Sequence, residues 1–166
     1  MRIFDQVSKI TLPDLFDGNL SLTEFIGKPL LLVFWSAECP QSERADQELE
    51  KNKQSWHDSV KIVRIASNRN ESLGMLREIA DLRRLKPILW DKDQKAADLM
   101  DAKTTPHCFL FDKKGCLEYQ GAFDDLTFRR REASQLFVVD AINAILDGKT
   151  PEITETQPYG CTIVRY

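Results

Sequence analysis

What the chain lacks first is a second thiol close to any of its cysteines. Cys39, Cys108, Cys116 and Cys161 are the only four in 166 residues, too few and too scattered for a disulfide scaffold. No pair has the spacing of a zinc site, and only His57 and His107 could add ligands, so neither a metal nor an organic cofactor is implied. No apolar run approaches the roughly 20 residues of a membrane span. The opening "MRIFDQVSKITLPDLF" lacks the charged-then-apolar order of a signal peptide, and the expected location is therefore cytoplasmic. Positive charge is also missing: 23 basic against 26 acidic side chains leave a net charge of −3. That excludes the basic footprint of a nucleic-acid or anionic-membrane binder. The dense run Arg129–Arg131 reads as a solvated helix start. Repeats, low-complexity tracts and linkers are absent too.

What is present fits one α/β domain with a full core. "LPDLFDGNLSLTEFIGK" reads as an extended entry with a turn at Asp17–Gly18 and a short helical turn capped by Ser21 and Glu24. "PLLLVFW" is a continuous apolar run, the pattern of a strand covered on both faces. A polar helix follows Pro40 to about Lys53, then the strand "VKIVRIAS", a helix with Leu73, Leu76, Ile79, Ala80 and Leu82 on one period, and the strand "PILWD". "DQKAADLMDA" makes a short helix. "TTPHCFLFD" and "CLEYQGAF" flank Lys113–Lys114–Gly115 as a hairpin, and "EASQLFVVDAINAILDG" is a last helix stopped by Gly148. The order predicts a mixed sheet with helices on both faces over residues 1–150, followed by a tail, 151–166.

Chemistry is expected at "WSAECPQS", where the first buried strand gives way to a helix. Pro40 suits the first helical position because its missing N–H would have had no partner there. Cys39 then becomes the cap, with free N–H groups and the positive end of the helix dipole favouring its thiolate. An unpaired cysteine is most often an inert core residue; the strand-to-helix position with proline next favours the reactive reading. Three residues on, where C-x-x-C would put a second thiol, stands Ser42, a pattern an engineered Cys→Ser exchange would also leave. Its hydroxyl can donate to a thiolate and cannot attack a mixed disulfide. A Cys39 adduct must be resolved by another cysteine, by an external thiol, or not at all. Cys108 alternates with Leu110 as a core residue, and Cys116 follows the Gly115 turn without sign of activation. Asp124–Asp125 reads as the end of the hairpin and a cap, not a metal site.

The segments "LPDLFDGNLSLTEFIGKPLLLVFWSAECP", "TTPHCFLFDKKGCLEYQGAFDD" and "TETQPYGCTIVRY" together resemble a thioredoxin-fold protein of the AhpC/TSA, peroxiredoxin-like family, close to thiol-disulfide oxidoreductases with a W-x-x-x-C-P loop. The resemblance implies a cis Thr105–Pro106 bond against Cys39, with the Thr105 backbone free to pair with an extended substrate and His107 near the thiolate. It makes Trp35, Pro40, Thr105, Pro106 and His107 the substrate-binding set. Ser36 falls where typical peroxiredoxins carry the threonine that organises peroxide, but Leu32 stands where their proline should be. Arg129–Arg131 offers three equal candidates for their arginine. The tail resembles a T-x-P-x-G-C-x-I ending in a subgroup that also lacks C-x-x-C. Pro151 and Pro158 keep the tail from continuing the helix, and Gly160 gives it room to move. A flexible tail can deliver Cys161 to Cys39, since loop closure costs little more as loops lengthen; an incidental exposed cysteine is the plainer alternative.

The expectation is a thioredoxin-like mixed sheet flanked by helices, with an N-terminal extension and a cysteine-bearing C-terminal tail. Its function is expected to be redox: Cys39 attacks a peroxide or a disulfide, assisted by Ser42 and Ser36, and Cys161 resolves the product. An external thiol reductant, thioredoxin or glutathione, would reset the pair. The alternative is a redox-inactive binding or chaperone-like module using the groove near Cys39 and Pro106. An iron–sulfur role through Cys39 and glutathione is weaker.

Overall fold

A computed structural model describes residues 9–166; residues 1–8, the start of the segment read against a signal peptide, lie outside the described residues. In chain order the elements are β1 (Thr11–Pro13), β2 (Asn19–Ser21), β3 (Leu30–Trp35), α1 (Pro40–Trp56), β4 (Lys61–Ala66), α2 (Leu73–Arg83) and β5 (Ile88–Trp90). There follow α3 (Lys95–Met100), β6 (Thr104–Thr105), β7 (His107–Phe111), β8 (Leu117–Gly121), α4 (Phe137–Leu146) and β9 (Cys161–Thr162). The central sheet runs β5-β4-β3-β7-β8, parallel from β5 to β3 and antiparallel beyond it. This is the thioredoxin-like mixed sheet that the resemblance implies.

The apolar run of β3 is buried at all six positions, as a strand covered on both faces should be. Its alternation sorts the core. Leu30, Leu32 and Phe34 join Val63, Ile65, Phe109 and Phe111 beneath α3 and the β1–β2 hairpin, with Phe34 and Phe109 edge to face at 5.9 Å. On the other face Leu31 and Val33 lie under α1 and α4, while Trp35 packs on Leu76 and Ala80 of α2. Ahead of β3, Ser21 caps a 3-10 turn, Leu22–Phe25, and the Glu24 carboxylate accepts from the Ser21 N–H at 3.0 Å.

Two expectations fail here for local reasons. The last helix starts at Phe137, not at Glu132, because the Asp125 carboxylate takes the N–H groups of Ser134 (2.8 Å) and Gln135 (3.2 Å) and holds that stretch as a loop. Arg129–Arg131 is therefore no helix start: the Thr127 hydroxyl accepts from the N–H groups of Arg129 and Arg130, and all three arginines are exposed. The tail is docked where free movement was expected. Thr156 bonds Gln120 O at 3.0 Å and accepts from the Ala122 N–H at 2.9 Å, β9 pairs antiparallel with β6, and Ile163 is buried in the core with α3.

Arg64 faces inward from β4 and so needs a partner. Asp46 of α1 supplies it, accepting from Arg64 Nε at 2.7 Å and from Trp35 Nε1 at 2.9 Å, with both charged side chains at most 7% exposed. This pair fixes the start of α1 to β3 and β4. Asp46→Ala leaves the guanidinium buried without its carboxylate and is expected to cost about 3–5 kcal/mol, read as a lowered urea midpoint with unchanged slope.

Candidate functional site

Residues 36–39 turn the chain from β3 into α1. Cys39 occupies the cap position with extended backbone, φ −87° and ψ 117°, and Pro40 follows at the first helical position as its fixed φ favours. A residue absent from the sequence reading clamps this turn. Glu71, just ahead of α2 and itself buried, accepts from the Ser36 hydroxyl at 2.6 Å and from the N–H groups of Ala37 (3.3 Å) and Glu38 (3.2 Å). One carboxylate thus takes three donors that the turn would otherwise leave unpaired.

Across from the turn, the Thr105–Pro106 bond is cis and Thr105 O accepts the Cys39 thiol at 3.0 Å. β6 ends at this carbonyl, and β9 pairs with it in the register Thr105↔Cys161. The pairing brings Cys161 beside Cys39, near enough for each thiol to shift the pKa of the other. Gly160 is required by this approach: a Cβ there would stand 2.2 Å from Thr105 O. The four cysteines are free thiols, Cys39 almost fully buried at 2% exposure and Cys161 partly exposed.

Burial pushes the Cys39 thiol up, but hydrogen bonds from the Cys161 thiol, the Thr105 side chain and the N–H groups of Ser42 and Cys161 outweigh it, and its pKa lies below the ordinary value. Thr105 Oγ1 is buried and makes no hydrogen bond to the described residues, which leaves its hydroxyl free to donate to a Cys39 thiolate. Cys161 moves the opposite way. Burial first, then its hydrogen bond to Cys39 and the negative charges of Cys39 and Glu71, push it up to about 12. Of the two thiols, Cys39 is the one whose surroundings favour loss of the proton and Cys161 the one whose surroundings oppose it.

The other residues expected at the site are placed differently. Ser42 reaches Cys39 through its backbone N–H, while its hydroxyl accepts from Ser36 N at 3.3 Å. The Ser36 hydroxyl is directed at Glu71. Trp35, expected to touch substrate, is fully buried instead, its one donor given to Asp46. His107 accepts from the Lys103 N–H at 3.1 Å and stacks on Phe109 at 4.6 Å. Burial above all lowers its pKa to about 4, so the ring is neutral at pH 7. Cys108 is wholly buried, which pushes its thiol far up. The arginines beside Cys39 are Arg44 and Arg83, which with Glu38, Pro40 and Glu43 line a cleft of about 340 Å³. Arg44 pairs with Asp124, and Arg83 donates to Glu43 at 2.8 Å. No cluster of three metal-ligating side chains occurs among the described residues, nor is any helix there long and apolar enough to cross a membrane.

Two pH profiles test these environments. The rate of Cys39 alkylation is expected to reach half its plateau at a lower pH than that of a cysteine in an unstructured peptide, and Cys161→Ala, which removes a donor, is expected to move that midpoint up. For His107 the folded pKa lies below the unfolded one, so between about 6.5 and about 4 the unfolded chain binds more protons. Stability is expected to fall as pH drops through that window. His107→Asn is expected to flatten the slope in chemical denaturation at pH 7 and pH 5.

The AhpC/TSA family model matches residues 3–120. The thiol-disulfide oxidoreductase YkuV of Bacillus subtilis is 27% identical over 108 residues, covering 62% of this chain and 73% of that protein. Among solved structures, a hypothetical protein from Sinorhizobium meliloti superposes with a TM-score of 0.82 at 28% identity, covering 93% of this chain and 89% of that one. An uncharacterized conserved protein from Geobacillus kaustophilus gives 0.85 at 23% identity, with 95% and 88% covered. With its thioredoxin-like fold and a family match over most of its length, the chain belongs to the AhpC/TSA family.

Proposed function

We propose that the protein is a thiol-disulfide oxidoreductase in which Cys39 is the nucleophile and Cys161 the resolving thiol. The observation that carries this reading is the β6–β9 pairing, which sets Cys161 opposite Thr105, the residue whose carbonyl accepts the Cys39 thiol. The role a C-x-x-C motif assigns to the residue three positions on is here assigned to a strand at the other end of the chain. Similarity to a thiol-disulfide oxidoreductase supports the same chemistry.

The Cys39 thiolate attacks one sulfur of a substrate disulfide, forming a mixed disulfide and expelling the other half as a thiolate. Loss of the negative charge on Cys39 removes two of the causes that hold Cys161 protonated. Cys161 then gives up its proton and attacks the Cys39 sulfur, releasing the second substrate thiol and leaving a Cys39–Cys161 disulfide. Two electrons have passed from the cysteine pair to the substrate. An external thiol reductant, thioredoxin or glutathione, returns them. Attack at Cys161, the more exposed sulfur, would expel Cys39, whose lowered pKa makes it the better leaving group. Disulfide exchange is preferred to peroxide reduction because the Ser36 hydroxyl is given to Glu71 and the arginines beside Cys39 are paired with carboxylates.

Reduced protein mixed with one equivalent of hydroxyethyl disulfide, quenched by rapid alkylation and mapped by mass spectrometry, is expected to show a Cys39–Cys161 disulfide. Cys161→Ser is expected to stop at the Cys39 adduct, and Cys39→Ser to show neither. Reaction with hydrogen peroxide faster than with the disulfide would reassign the oxidant. A Cys39 left reduced by both would replace the enzyme reading with the binding-module one.

A further inference from the structure

β6 presents a backbone edge beside Cys39, and that edge is occupied. β9 lies on it antiparallel, Thr104 against Thr162 and Thr105 against Cys161, and Ile163 N continues the pairing to Lys103 O at 3.1 Å. The occupant is fastened on both sides. Upstream, the Thr156 hydroxyl bonds Tyr119 at 2.6 Å and accepts from the Ala122 N–H. Downstream, Ile163 is 3% exposed, and Val164 O accepts from Gln94 Nε2 at 2.7 Å and from Arg69 N at 3.1 Å. Arg165 is tied to Asp98 at 2.6 Å and to Ala102 O at 2.7 Å.

Cys39 thus has the tail on its Thr105 side. What remains beside it is the cleft of about 340 Å³ toward Pro40, Arg44 and Arg83. Small-molecule sites commonly span about 300–1,000 Å³, whereas an extended peptide is bound by adding a strand to a free sheet edge. The cleft suits the former, and the edge needed for the latter is taken.

We propose that β9 stands in the place of a substrate backbone along Thr105, so that the folded chain takes low-molecular-weight disulfides at Cys39 and excludes polypeptide disulfides. This rests on the oxidoreductase reading above and adds the substrate class. The steps are those already balanced, with a small disulfide as the oxidant and two small thiols as products. Gly160 sets the specificity by position, since only a residue without a side chain lets β9 close on Thr105 O.

The test compares the rate of Cys39 oxidation by hydroxyethyl disulfide and by a single-disulfide unstructured peptide, in the full chain and in Gly160→Ala. In the unaltered protein the peptide is expected to react at least tenfold more slowly than the small disulfide. In Gly160→Ala, whose methyl group pushes β9 off Thr105, the peptide-to-small-disulfide rate ratio is expected to rise at least tenfold. Faster amide exchange at Cys161 and Ile163, with exchange in the central sheet unchanged, reports the release of the strand in a folded protein. Equal rates for the two oxidants in the unaltered protein overturn the proposal, and so does a ratio unchanged by Gly160→Ala. Absence of a Cys39–Cys161 disulfide with either oxidant would overturn the oxidoreductase reading itself, and the substrate class with it.

Discussion

Two residues of β6 paired with two residues of β9 join the carboxyl end of the chain to the loop in front of Cys39, and the environment of both thiols follows from that pairing. It sets Cys161 beside Cys39, where its thiol and its N–H both favour the Cys39 thiolate. The same Thr105 carbonyl that faces Gly160 also receives the Cys39 thiol. Without β9 the thiolate would lose two of its donors. So short a ladder holds only because the chain is anchored on each side of it, by Thr156 next to β8 and by Ile163 in the core.

The positions that could be read in advance are those whose signal is local. A six-residue apolar run followed by Cys-Pro announces a buried strand, a helix start and a capping thiol, because each depends on neighbours within one turn. Ser21 with Glu24, the hairpin around Gly115 and, apart from the exposed Leu82, the period of α2 were legible for the same reason. The cis Thr105–Pro106 step was legible through family resemblance alone.

What escaped is long-range. Glu71 sits more than thirty positions from the turn it clamps, beside a helix cap that explains its surroundings without it, so nothing nearby marks it. Trp35 and His107 looked like site residues because they flank Cys39 and Pro106 in sequence. β3 and β7, however, are buried at every position, so both side chains are covered whichever face they point to. The tail was misjudged because its prolines, glycine and polar residues match those of a free segment. Its docking depends on Gln94, Asn68 and Asp98, whose closeness only the fold creates. Asp125 likewise delays α4 through contacts that no helical period reveals.

The position of Cys161 at the far end of the chain has a thermodynamic side as well. A bond between the sulfurs of Cys39 and Cys161 would close a ring containing α1 to α4 and the strands β4 to β8, leaving β1, β2 and β3 and the last few residues outside. Cross-links enclosing about a hundred residues restrict the unfolded chain by about 4–5 kcal/mol in the chain-entropy model. A neighbouring C-x-x-C pair, enclosing two residues, restricts it far less. Such a bond, were it formed, would therefore hold the domain more firmly against heat and proteases, and its reduction would remove that restraint.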